Sequence, residues 1–230
     1  ISATALIVMT CIILIFVGGV NLKQFLLIGI IGAAGALLVV SIMSRNYDYI
    51  QKRIQSWVDP FADSQGNTWQ TCQSLIAIGS GGLFGLGLGE SRQKYLYLPE
   101  TKNDFVFSIV CEELGLVGAL TVVLLFTLLV IRGFYIAMRA KDKFGMLMAI
   151  GLTSHIGLQA FFNIAVVSNL IPNTGISLPF FSYGGTALIL QLAEMGIVLN
   201  ISRVRYQSPQ RAPAAERAPQ AEVQLQGGNV

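Results

Sequence analysis

Residues 105–131 read FVFSIVCEELGLVGALTVVLLFTLLVI, a run whose only charged side chains are the adjacent Glu112 and Glu113. A helix needs about 20 mostly apolar residues to cross the hydrocarbon layer of a bilayer, and this run exceeds that length. Four further runs, residues 4–20, 25–43, 144–171 and 184–201, approach or reach it. The chain is therefore expected to be all-α, a polytopic membrane helix bundle with about five transmembrane helices.

Composition agrees. Hydrophobic residues make up 53% of the 230, charged residues 12%, and the mean hydropathy is +0.65, outside the range of ordinary soluble domains. The chain opens on Ile1 with an apolar run close behind, which predicts that part of a longer protein precedes it, so no signal peptide can be sought. Cys11, Cys72 and Cys111 are odd in number and lack metal-type spacing, which argues against a disulfide framework or zinc site. The net charge of +3 is dispersed, with no basic stripe to receive nucleic acid.

Basic residues in short loops mark the cytoplasmic side. Arg132, Arg139, Lys141 and Lys143 lie between the third and fourth helices, Lys23 between the first two, and Arg203 and Arg205 after the fifth. The uncharged connection 172–183 and the long loop 44–103 are then extracytoplasmic. A loop of that length is expected to carry structure of its own. Tyr49, Ile50, Ile54, Trp57 and Val58 recur at helical spacing, as in an amphipathic interfacial helix, although a solvated turn fits as well. Residues 69–78 suggest a second short helix ending in glycines. Residues 1–206 form the predicted membrane domain. From residue 207 the chain turns to Pro, Ala and Gln, and 207–230 reads as a disordered cytoplasmic tail.

Polar chemistry is concentrated in GSGGLFGLGLGESRQKYLYLPETKNDFVFSIVCEE, residues 79–113. Its glycines do not make a P-loop, because Gly89 is followed by Glu90 and Ser91 instead of Lys-Ser/Thr. They suit close backbone approach to an anion or to a helix. Arg92, Lys94 and Lys102 could hold a pyrophosphate, Arg by bidentate pairing and Lys as a point charge, or could anchor lipid headgroups. Asp104, four residues after Glu100, is either a cap at the start of the third helix or a general base or metal-binding carboxylate at the membrane surface.

Glu112 and Glu113 lie roughly 12–14 Å farther along a continuous helix. An ionisable group at that depth costs about 2.5–3.5 kcal/mol and should face a partner or a cavity. His155, Gln159 and Asn163 share one face of the fourth helix, with Asn163 expected nearest the glutamates in depth. These five residues read as a buried polar network or as a proton pathway. The second outer segment, IPNTGISLPFFSYGG (171–185), reads as a rigid re-entrant turn packing over the site.

These residues resemble the SEDS family of bacterial FtsW, RodA and SpoVE proteins. The likeness runs over about residues 3–203 and is carried by QSLIAIGSGGLFGLGLGESRQKYLYLPETKNDF (73–105), EELG (112–115) and NLIPNTGISLPFFSYGG (169–185). The wording at 91–100 is similar to the division and sporulation branch. The pattern departs at Ile50 and Asn103, and in GGTA at 184–187.

The resemblance implies ten membrane helices, these being the last five, in the bacterial cytoplasmic (inner) membrane with the active site facing outward. It implies a peptidoglycan glycosyltransferase that polymerises lipid II during cell division or sporulation, a role in cell wall and cell shape, beside a class B penicillin-binding protein transpeptidase, other division proteins and membrane lipid. Asp104 matches the family's essential loop aspartate. Arg92, Lys94, Lys102, Glu100, Ser182 and Tyr183 are then candidate substrate-binding residues. A divalent cation, Mg or Mn, could sit at Asp104, and no organic cofactor is expected. Two other readings compete: a lipid II transporter (flippase), and a non-catalytic scaffold for the transpeptidase.

Overall fold

In the computed structural model, residues 2–20, 27, 29–32, 35, 54–62, 68–91, 93 and 104–204 are described. The expected second span at 25–43 falls largely outside them, as do the tail at 207–230 and residues 49–53 of the interfacial segment. The described elements are helices α1 (Ser2–Val17), α2 (Trp69–Gly81), α3 (Val106–Met138), α4 (Lys143–Val167) and α5 (Gly185–Val204), with a helical turn at 54–58 and no strand among the described residues. The all-α membrane bundle expected from composition is what is found. α3, α4 and α5 are each long and apolar enough to span a bilayer, and α1 is a shorter apolar helix.

α3 and α4 form an antiparallel pair at the centre, and small residues let their backbones approach. Gly133 lies so close to Thr153 that a Cβ would stand 2.4 Å from its methyl carbon, and one on Gly157 would meet Val130 at 2.8 Å. With Ala137, Ala149 and Ala160 buried in the same contact, the packing follows the small-residue rule of membrane helices. In α3 the Thr121 and Thr127 hydroxyls donate to carbonyls one turn back. α1 lies against α4 through Leu14, and Ile13, Leu14, Phe134 and Ile201 close a small core at one end of the bundle.

That end carries the charges. Arg132 and Arg139 both lie over the ring of Tyr135, at 5.2 and 4.0 Å, and Asp142 caps α4 by accepting from the Gly145 amide. The opposite end carries Asp104 and the 168–184 loop. There α4 stops at Val167, one turn before the sequence limit of 171. Asn169 adopts a positive φ of 59°, and the amides of Asn169 and Leu170 close back onto Val166 and Ala165.

Candidate functional site

The long apolar run 105–131 is part of an interrupted helix. Inside α3, Gly115 has φ 66° and ψ −165°, so helical bonding lapses there. The glycine-rich run repairs the gap. The amides of Leu86 and Gly87 donate to the carbonyls of Glu112 and Glu113, while the amides of Leu116 and Val117 donate to the carbonyls of Gly82 and Leu83. Irregular backbone is tolerated at membrane depth only when it is satisfied by protein in this way. A Cβ on Gly81 would lie 1.9 Å from the Cys111 carbonyl oxygen, one on Gly85 2.2 Å from that of Glu113, and one on Gly115 2.4 Å from the Gly85 nitrogen. Close backbone approach to a helix, one of the two uses open to these glycines, is what the structure places here.

α2 and this loop enter the bundle and turn back. α2 begins level with the loop end, where Gln70 meets Asn173 and the Ser74 hydroxyl donates to the Val167 carbonyl, and it finishes beside Cys111. On the return the Ser91 hydroxyl donates to the Glu112 carboxylate at 2.5 Å; the two residues are 2% and 1% exposed. Glu112 thus has a hydrogen-bonding partner from the segment that the sequence singled out for its cations. Arg92, Lys94, Glu100 and Lys102 themselves lie outside the described residues.

The 168–184 loop also turns inward and is held by side-chain amides from three helices. Asn173 meets Gln70 of α2 at 3.4 Å, Asn163 and Gln159 of α4 donate to the carbonyls of Ile176 and Ser177, and the Phe180 amide donates to Gln191 of α5. Ser177 therefore reaches the level of Gln159, two turns below the end of α4. Leu178 and Pro179 are fully buried. At the start of the loop, Trp57 and Asn169 exchange bonds, each donating from its side chain to the other's backbone carbonyl at 3.1 Å.

Asp104 stands one residue ahead of the α3 N-cap, Phe105, and is half-buried. Its backbone carbonyl accepts from the Asn163 amide at 2.7 Å. Its carboxylate lies over the loop, with Oδ2 3.4 Å from where a Cβ of Gly175 would be. Gly175 has φ +67° and its amide donates to Asn173, so a tight turn faces the acid. Farther along the loop, the Ser182 hydroxyl donates to the Leu178 carbonyl, and Tyr183 is 81% exposed.

The polar face of α4 divides among partners the sequence did not pair with it. Asn163 meets the start of α3 at Asp104, eight residues before Glu112. His155 meets Glu194 of α5, 3.2 Å from Nδ1 to Oε1, with both side chains partly exposed. Glu194 was legible as an ionisable residue inside the apolar run 184–201, where one should find a partner. For a cation the site offers the Asp104 carboxylate, and among the described residues no group of three His, Cys, Asp or Glu could hold a metal alone. Mg or Mn is commonly held by one or two carboxylates together with substrate phosphates. A single carboxylate of this kind suits a cation shared with a pyrophosphate.

Residues 1–207 match the family model described as Cell cycle protein, that of FtsW, RodA and SpoVE. Stage V sporulation protein E of Bacillus subtilis (strain 168) is 48% identical over 194 residues, covering 84% of this chain and 52% of that protein. A probable peptidoglycan glycosyltransferase FtsW of the same strain is 46% identical over 201 residues, covering 85% and 49%. The chain spans about half the length of these curated relatives. Among solved structures, a chain from work on the structural coordination of polymerization and crosslinking by a peptidoglycan synthase complex aligns with a TM-score of 0.66 at 30% identity, covering 89% of this chain and 56% of that one.

Proposed function

The chain belongs to the cell cycle protein family of FtsW, RodA and SpoVE, and from that premise we propose that it carries the active site of a glycosyltransferase polymerising lipid II into peptidoglycan strands. The site faces outward from the bacterial cytoplasmic membrane, in cell division or sporulation. Asp104 takes the proton from the 4-hydroxyl of the acceptor sugar. The freed oxygen bonds to the donor's anomeric carbon as that carbon's bond to pyrophosphate breaks, with inversion. Arg92, Lys94 and Lys102 offset the charge that grows on the leaving pyrophosphate, and Glu100, Ser182 and Tyr183 are the further candidates for binding the substrate. A divalent cation at Asp104 would bind the same phosphates and spread that charge.

One observation carries this reading: a half-buried carboxylate just ahead of a membrane helix, facing the tight turn at Gly175. The structural neighbour from a peptidoglycan synthase complex supports a class B penicillin-binding protein as partner. The test is full-length protein carrying Asp104→Asn, supplied with labelled lipid II and its transpeptidase. Lipid II should bind and no glycan should form; strands of normal length would overturn the assignment.

The His155–Glu194 pair inside the spans favours a second reading, transport of the lipid-linked precursor across the bilayer. It requires Glu194→Gln to stop transbilayer movement of labelled lipid II while Asp104→Asn leaves movement intact.

A further inference from the structure

We propose that Asn163 is a positioning residue for Asp104. The argument rests on the catalytic reading of Asp104 above and extends it to a residue that touches no substrate.

Asn163 is wholly buried, one turn below the end of α4. Its single amide nitrogen donates twice, to the Asp104 carbonyl at 2.7 Å and to the Ile176 carbonyl at 2.6 Å. These acceptors belong to two segments that no helix joins, the start of α3 and the inward-turning loop. A carboxylamide nitrogen carries two hydrogens in a fixed plane, so one rigid group sets the separation and orientation of both backbones. Next to Ile176 is Gly175, against which the Asp104 carboxylate rests. Asn163 therefore fixes the acid relative to the turn at Gly175 that it faces.

The chemistry explains why an amide is needed. Carbonyls at the loop end have lost their helical partners and would be left unsatisfied in apolar surroundings. A hydroxyl has one hydrogen and cannot serve both, and a carboxylate in the same place would set acceptors against acceptors. Gln159 pins the same loop one turn deeper, donating to Ser177 at 3.1 Å, and has no bond to Asp104 among the described hydrogen bonds. It is the natural comparison for a residue that holds the loop alone.

The experiment uses full-length protein with its transpeptidase and compares Asn163→Asp, which keeps the shape and leaves at most one donor hydrogen for two carbonyls, with Gln159→Leu. For Asn163→Asp, kcat for glycan synthesis should fall by about tenfold or more with KM for lipid II nearly unchanged, as expected when a catalytic group is displaced by a fraction of an ångström to an ångström. Gln159→Leu should lower thermal stability without that split. A second readout is independent of turnover. Asp104→Cys and Gly175→Cys are combined, with Cys11, Cys72 and Cys111 replaced by serine, and joined by a short thiol crosslinker. Adding Asn163→Asp should cut the yield several-fold. An unchanged yield, or the same kinetic signature from Asn163→Asp and Gln159→Leu, overturns the proposal. Glycan synthesis surviving Asp104→Asn while the crosslinking result holds would instead overturn the catalytic reading and leave the positioning intact.

Discussion

The hydroxyl of Ser91 donates to the carboxylate of Glu112 across 2.5 Å, and both side chains are withdrawn from solvent. A glutamate placed in an apolar span is thereby matched by a loop residue immediately preceding Arg92.

Removing that donor should be felt as lost stability. Ser91→Ala is expected to cost about 1–3 kcal/mol, because the carboxylate keeps its desolvation cost and loses a hydrogen bond. A double-mutant cycle with Glu112→Gln should give a coupling of roughly 0.5–3 kcal/mol. Thermal unfolding in detergent reads both.

Gly115→Ala should be more severe. The residue has a positive φ that disfavours a side chain, and the new Cβ would press on the backbone of Gly85 and Leu83. The expected loss is roughly 3 kcal/mol or more. Gly81→Ala separates sterics from φ, since only the contacts with the backbone of Cys111 and Glu112 change there. A melting temperature within a degree of wild type for either variant would contradict the interlocked backbone.

His155→Leu alone should leave Glu194 without its described ion-pair partner in a span, at a cost on the order of 2 kcal/mol. The double variant His155→Leu with Glu194→Leu should recover most of that loss. Failure of the second substitution to rescue the first would show that the pair does not act as a unit.

Trp57→Phe tests the hold on the turn after α4. It removes the indole donation to the Asn169 carbonyl and should cost about 1 kcal/mol. Faster proteolysis in the 168–184 loop is the direct measurement.

The helical, membrane-spanning character of α3, α4 and α5 could be read from apolar run length, which acts residue by residue. The break at Gly115 could not, because glycine is common in membrane helices and only a partner loop of matching shape converts one into an interruption. Asp104 was visible through its motif, and spacing alone left cap and catalyst open. The contact between Asn163 and Asp104 was not legible for the same reason as that break: with Gly133 on Thr153 and Val130 on Gly157, Asn163 lies opposite about residue 124 of a straight α3, roughly 30 Å from residue 104, and the break at Gly115 lets the start of α3 reach it.

The interruption in α3 also bears on biogenesis. Until residues 82–87 dock, the amides of Leu116 and Val117 and the carbonyls of Glu112 and Glu113 lack their described partners, a cost of several kcal/mol inside a bilayer. The loop precedes α3 in the chain. During synthesis from the N-terminus the ribosome delivers the splint before the helix it mends, so α3 can enter the membrane with its missing bonds already on offer.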